Sequence, residues 1–182
     1  MTNGQKTNYN QNITNYFFIM GKTLDGQIVL TKYHSLQEFK QQIGEGKLKV
    51  KAQFQLLSLR DTTKFEYYVK RFQLDVDAER KLIEGNRKDL LCIYFRLRRC
   101  HAANESILIH YPQALSIYAK FHSLSETAQM EMVRQKKLQT AMKYIKRRRL
   151  CNKALAFFRD HADKPLVVFY DRLYGISVLA EA

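Results

Sequence analysis

Five cationic side chains recur along the chain at almost constant spacing. Lys70, Arg96, Lys120, Lys146 and Arg172 are separated by steps of 26, 24, 26 and 26 residues. Further arginines stand beside them, namely Arg71, Arg98, Arg99, Arg147, Arg148 and Arg149. Lys and Arg bind phosphate groups and release the counterions, so cations in a row suit a polyanionic partner such as nucleic acid. We therefore predict that these residues form one binding surface.

The overall charge agrees with such a surface but also permits a simpler explanation. The 182 residues include 31 basic and 17 acidic ones, which gives a formal charge of +14. A cation at the C-terminus of a helix interacts favourably with the helix dipole, by about 0.3–1 kcal/mol. That explanation accounts for one cation per helix. It does not account for the runs at 96–99 and 146–149, where neighbouring like charges repel.

Aromatic residues near these cations offer a second kind of contact. They are Tyr67, Phe72, Phe95, Phe121 and Tyr174. Aromatic rings can stack on exposed bases, but these residues can equally pack between helices. No recognition-helix, zinc-finger or RNA-recognition signature is present, so we predict no base-specific readout.

The sequence lacks the motifs that are typical of catalytic sites. We find no Gly-x-Ser-x-Gly elbow, no Gly-rich phosphate loop and no His-Glu-x-x-His motif. Asp160 and His161 could form an acid–base pair, but nothing in the sequence places a nucleophile beside them. We therefore expect that the chain is not an enzyme and uses no cofactor.

The cysteine and hydropathy patterns indicate a cytoplasmic protein. Cys92, Cys100 and Cys151 are an odd number without metal-ligand spacing, so we expect reduced, packed thiols and no metal site. No apolar run approaches the roughly 20 residues that a bilayer span requires, so no membrane association is expected.

The cations belong to a repeat that a grid of tyrosines makes visible. Tyr16, Tyr68, Tyr94, Tyr118, Tyr144 and Tyr170 follow the same spacing, and Gln42 fills the vacant position. A small residue opens most repeats, and an apolar residue follows four positions later, as in Ala78 and Leu82. A fixed period with a fixed apolar pattern is the signature of a repeat protein.

Each repeat contains two apolar clusters with helical spacing, separated by a polar break. The only prolines, Pro112 and Pro165, both fall in this break, and proline suits the first turn of a helix. A repeat therefore holds a first helix of about 8–10 residues and a second of about 11–13, by the usual length arithmetic. The predicted fold is all-α, an α-solenoid of about six tandem helix-turn-helix repeats.

The best-defined repeat reads Ala-Glu-x-x-Leu-Ile from Ala78 and Leu-Cys-Ile-Tyr from Leu91. It resembles the short two-helix repeats that occur in tandem in bacterial proteins. The resemblance covers most of the chain and implies an α-solenoid, a class whose members bind proteins or nucleic acids and seldom catalyse. It transfers no functional residue.

The repeat pattern sets the expected organisation of the chain. Residues 1–12 are polar and are predicted to be a disordered tail, and residues 13–182 form a single α-helical repeat domain. A small β-hairpin over 15–20 and 28–33 is an alternative near the N-terminus, because Asp25 and Gly26 favour a hairpin turn.

Two functions remain open on sequence grounds. The first is a protein that binds nucleic acid or a ribonucleoprotein through the basic residues and serves as an accessory or inhibitory factor. The alternative is a scaffold that binds an acidic protein, because solenoids present long concave faces. The sequence does not choose between DNA, RNA and protein, and it leaves the oligomeric state open.

Overall fold

The computed structural model describes residues 35–44, 46–135 and 138–175, and all regular secondary structure in those ranges is helical. The helices are α1 (Leu36–Gln42), α2 (Val50–Ser58), α3 (Thr62–Arg71), α4 (Val76–Gly85), α5 (Lys88–Leu97), α6 (Ala102–Leu108), α7 (Pro112–Phe121), α8 (Glu126–Arg134), α9 (Leu138–Ile145), α10 (Asn152–His161) and α11 (Lys164–Tyr174). The all-α prediction is confirmed for these residues. The polar tail and the alternative hairpin lie outside them.

The chain divides into two compact units, Met1–Ala78 and Glu79–Ala182. In the described part of the first unit, α1 and α2 both pack against α3. The ring of Phe39 in α1 meets the ring of Tyr67 in α3 edge-on, with their centroids 6.5 Å apart.

In the second unit, the helices from α5 to α8 each pack against the helix two places further along the chain. The second helices of the pairs form one series, in which α5 contacts α7 and α7 contacts α9. The first helices form another series, in which α6 contacts α8 and α8 contacts α10. Equivalent residues of successive pairs are therefore brought close to one another.

The tyrosine grid forms the centre of each helix pair. Tyr68, Tyr94, Tyr118, Tyr144 and Tyr170 are all fully buried and are among the largest buried side chains. The apolar positions of the first helices are buried as well, namely Leu56, Leu82, Leu108, Met132 and Phe158. Complete burial of such a side chain contributes about 1.5–3 kcal/mol. The predicted core is confirmed for the described residues.

The helix starts follow the sequence signals. Pro112 is the first residue of α7, and Pro165 lies in the first turn of α11. Ser125 caps α8, where its hydroxyl accepts a hydrogen bond of 3.3 Å from the amide of Ala128. The first amide groups of a helix have no partner within it. The serine hydroxyl supplies a partner to one of them, and a proline has no amide hydrogen that needs one.

Unlike α11, which contains 11 residues, the second helices α3, α5 and α7 are shorter than the predicted 11–13 residues, since each contains 10. The chain becomes extended directly after them, with φ −136° and ψ 143° at Arg98 and φ −132° and ψ 155° at His122. Leu74, Cys100 and Leu124 lie in these extended links and are nevertheless buried. The apolar pattern that suggested one more helical turn comes from these linking residues.

A buried amide or carboxyl group ties each first helix to the start of the next one. Gln53, Glu79, Glu105 and Gln129 occupy the second position of the repeat and are all buried. Their side-chain oxygens accept hydrogen bonds of 2.7–2.9 Å from the backbone amides of Asp75, His101, Ser125 and Cys151, respectively. Glu79 and Glu105 therefore have a structural role between successive helix pairs.

Candidate nucleic-acid interface

The cations singled out in the sequence lie at or just beyond the C-terminal ends of the second helices. Lys70 and Arg71 end α3, Arg96 lies in the last turn of α5, Lys120 in that of α7 and Arg172 in that of α11. Lys146 follows α9 by one residue, so the residues 146–149 lie in a turn. We call the whole predicted set, together with Arg98, Arg99, Arg147, Arg148 and Arg149, the cationic helix ends. All are solvent-exposed except Arg98 and Arg148, which are half-buried.

Side-chain hydrogen bonds join the ends of neighbouring second helices in the second unit. An imidazole nitrogen of His122, directly after α7, lies 2.7 Å from the carbonyl oxygen of Phe95 in α5. The guanidinium of Arg148, beyond α9, donates to the carbonyl oxygens of Ala119 at 2.8 Å and Lys120 at 3.2 Å in α7. The last carbonyl groups of a helix have no partner within it, and these side chains supply one.

The same connection is made once more at the end of the described chain. The hydroxyl of Tyr174, the last residue of α11, donates to the carbonyl oxygen of Ile145, the last residue of α9. His122, Arg148 and Tyr174 each stand four residues after the buried tyrosine of their own helix pair. Each binds the carbonyl group of the residue that directly follows the buried tyrosine of the preceding helix pair. The C-terminal ends of α5, α7, α9 and α11 are therefore neighbours. Sequence reasoning missed this connection because three different residue types make it.

Two of the predicted binding cations donate hydrogen bonds to helix carbonyl groups. Besides Arg148, Arg149 donates a hydrogen bond of 3.2 Å to the carbonyl oxygen of Tyr174, and its guanidinium lies 5.1 Å from the centre of that ring. Hydrogen bonds that involve a charged donor contribute about 1.5–3 kcal/mol. The helix-end explanation for the cations therefore has direct support at these two residues.

Other cations have local partners that leave them accessible. Lys70 forms an ion pair of 3.0 Å with Glu66, and 57% of its side chain is exposed. The ammonium of Lys146 lies 5.9 Å from the centre of the Phe169 ring. Exposed ion pairs contribute only about 0–1 kcal/mol, so a phosphate can replace such a partner at little cost.

The signs of charge are separated around these ends. Every charged side chain between Glu131 and Asp160 is cationic. Between Glu105 and Glu126, Lys120 is the one charged side chain. Exposed acidic residues of the second unit lie instead on the first helices, as Glu84 and Glu126 do, or at the N-terminal starts of second helices, as Asp89 does in α5. The local field at the ends of α7 and α9 is therefore positive.

The aromatic residues near the cations differ in accessibility. Phe95 is fully buried, and its ring packs edge-on against Tyr118 at 5.0 Å. Tyr67, Phe72 and Tyr174 are half-buried. Phe121 is the residue of this group with the greatest exposure, at 39%.

The buried polar groups between the helices offer no activated nucleophile. Burial, followed by the nearby Glu79, raises the pKa of the Cys100 thiol. Burial, followed by Glu105, raises the pKa of the Tyr118 hydroxyl. Both groups are therefore protonated at neutral pH, and a protonated thiol is a poor nucleophile.

Neither a protein-family model, nor a curated protein sequence, nor a solved structure matches this chain. Within the described ranges, no three His, Cys, Asp or Glu side chains are placed to hold a metal ion. In the same ranges, no helix has the length and apolar character that a membrane crossing requires.

Proposed function

We propose that this chain is a non-enzymatic α-solenoid of about six helix pairs that binds nucleic acid, alone or within a ribonucleoprotein. The cationic helix ends contact the phosphate groups, and the protein acts as an accessory or inhibitory factor of its partner. The binding is electrostatic and does not depend on base sequence.

The observation that carries this proposal is the series of hydrogen bonds from α5 to α11. His122, Arg148 and Tyr174 each bind the end of the preceding second helix. Packed helices are about 8–10 Å apart, so four neighbouring ends extend over about 25–30 Å. Exposed Arg96, Lys120, Lys146 and Arg172 stand at these ends.

The charge pattern favours a polyanion with regularly spaced charges. The exposed cations recur once per helix pair at the C-terminal ends of the second helices, whereas Asp89 and Asp163 lie at the N-terminal starts of α5 and α11, and Asp171 is buried. A phosphate backbone presents charge at a regular interval along its length, so successive helix pairs can make equivalent contacts with it.

Fluorescence anisotropy with labelled oligonucleotides over a range of salt concentrations tests the proposal. A dissociation constant below about 100 μM at 50 mM salt is expected, as for ordinary non-specific binding. Replacing Arg96, Lys120 and Arg172 by Gln removes up to three phosphate contacts. The slope of log affinity against log salt should then decrease by about 2, at about 0.7 per contact for a single strand.

A matched variant separates the position of the charges from their number. Arg80, Lys88 and Lys164 are exposed cations of the second unit that lie on α4 and at the starts of α5 and α11, the ends of these two second helices opposite to Arg96 and Arg172. Their joint replacement by Gln lowers the net charge by the same amount and should leave the salt slope within about 0.5 of the original. An equal decrease of the salt slope in both variants would contradict a binding surface at defined residues. Lack of binding to DNA and RNA, with capture of an acidic protein that depends on Arg96, would favour the scaffold function instead.

A further inference from the structure

Phe121 is the last residue of α7 and places an aromatic ring in solvent among the cations. Its side chain is 39% exposed, and within the described part of the chain its ring has no aromatic or cationic partner. Aromatic side chains bury 150–250 Å² when they pack. Exposure of such a ring at a helix end therefore leaves a large apolar surface without a contact.

The position of Phe121 in the repeat explains its exposure. Phe121 stands three residues after a buried tyrosine, where the other helix pairs carry Arg71, Leu97, Arg147 and Leu173. Arg71, Arg147 and Leu173 are exposed as well, so this position points away from the core. Phe95 differs because it stands one residue after its tyrosine, on the face that packs against α7.

Cations lie close to the end of α7, where Phe121 stands. The neighbouring Lys120 is exposed, and its carbonyl oxygen accepts a hydrogen bond from Arg148, which brings a guanidinium to the end of α7. Exposed Arg147 precedes that guanidinium directly in the sequence. An exposed ring at a helix end that also carries cations combines the two contacts that proteins use on unpaired nucleotides, stacking on the base and attraction of the phosphate.

We propose that the cationic helix ends bind single-stranded nucleic acid, with Phe121 as a platform on which one base stacks. This inference rests on the proposed nucleic-acid binding and adds the strandedness of the ligand. The reason is geometric, since the faces of paired bases are covered by their neighbours in a duplex, while an unpaired base can offer its face to a ring.

Three probes of equal length test the stacking, namely a 12-nucleotide dT strand, the same strand with abasic sites in place of the bases, and a 12-base-pair duplex. We expect the protein to bind the dT strand about tenfold more tightly than the abasic strand, the effect of one stacked base. Phe121→Ala should remove that difference by weakening the dT complex. It should change the affinities for the abasic strand and the duplex by less than about twofold.

Two further variants control for side effects of the substitution. Phe121→Tyr retains a ring that can stack and should bind the dT strand like the unmodified protein. Leu173→Ala removes an exposed apolar side chain at the equivalent position of α11 (43% exposed) and should leave the preference for bases unchanged. Circular dichroism melting of each variant checks that the fold is retained.

The possible outcomes distinguish this inference from the proposed function. If the protein binds the dT and abasic strands equally, or if Phe121→Ala weakens duplex binding as much as dT binding, the stacking role is wrong while nucleic-acid binding remains. If none of the three probes binds, the proposed function itself is wrong. Loss of base preference in Phe121→Ala together with its retention in Phe121→Tyr supports the inference.

Discussion

Replacement of Glu79 by Ala should be among the most destabilising changes on a polar residue of this protein. The Glu79 carboxyl group is fully buried. It accepts hydrogen bonds from the Tyr94 hydroxyl at 2.7 Å, the His101 amide and the Asn104 side chain at 2.9 Å each, and the Cys100 thiol at 3.1 Å. Its removal deletes these four hydrogen bonds at once.

The size of the effect follows from the cost of unsatisfied donors. Each buried donor that loses its partner costs about 1–3 kcal/mol. The thiol is a weak donor, and water that enters the vacated polar space can satisfy part of the rest. We therefore expect a loss of about 3–5 kcal/mol in the free energy of unfolding, measured by urea denaturation with circular dichroism at 222 nm.

The isosteric change Glu79→Gln provides the sharper comparison. The amide oxygen can still accept from His101 and Asn104, while the amide nitrogen can donate to the oxygen of Tyr94. The expected loss is then about 1 kcal/mol. Glu84→Ala, on the exposed side of the same helix, should change stability by less than about 0.5 kcal/mol. A loss below about 1 kcal/mol for Glu79→Ala, or equal losses for Ala and Gln, would refute the argued role of this carboxyl group.

Two further changes test other parts of the structure. Arg148→Met should lower the free energy of unfolding by about 1.5–3 kcal/mol because it removes the bonds to two α7 carbonyls, whereas Arg147→Met should stay within about 0.5 kcal/mol, as urea denaturation will show. Burial and then Glu105 raise the pKa of Tyr118 above its usual value of 10.0, so above pH 10 the folded chain retains a proton that the unfolded chain releases. Stability should therefore fall as the pH rises, by up to about 1.4 kcal/mol per pH unit for this group, and Tyr118→Phe should flatten the fall between pH 10 and 11. An equal pH dependence in both proteins would show that this hydroxyl does not contribute.

Some contacts could have been found in the sequence but were not. Gln53, Glu79, Glu105 and Gln129 follow the same 26-, 26- and 24-residue steps as the tyrosines. A polar residue that recurs on the buried face of a repeat needs a recurring partner, and the nearest one is the backbone amide at the next helix start. The pattern is hard to see because two residue types share it, Gln at 53 and 129 and Glu at 79 and 105.

The helix ends could not be read from the pattern in the same way. Leu74, Cys100 and Leu124 continue the apolar periodicity of the second helices, which predicted one more turn. In the structure these side chains reach the core from extended links. An apolar residue just beyond a helix and one in its last turn give the same sequence signal, since periodicity records which side chains are buried and not the backbone that carries them.

The amino-acid sequence by itself determined the helical class, the period, the tyrosine core and the recurrence of cations at the ends of the second helices. These features are local or periodic, so they are written in residue spacing. Tertiary structure alone decided that Arg148 and Arg149 bind helix carbonyls, that Phe121 is exposed while Phe95 is buried, and that the ends of α5, α7, α9 and α11 are neighbours. The hydrogen bonds among these contacts join residues 25 to 29 positions apart, and their partners follow from how one helix pair packs against the next.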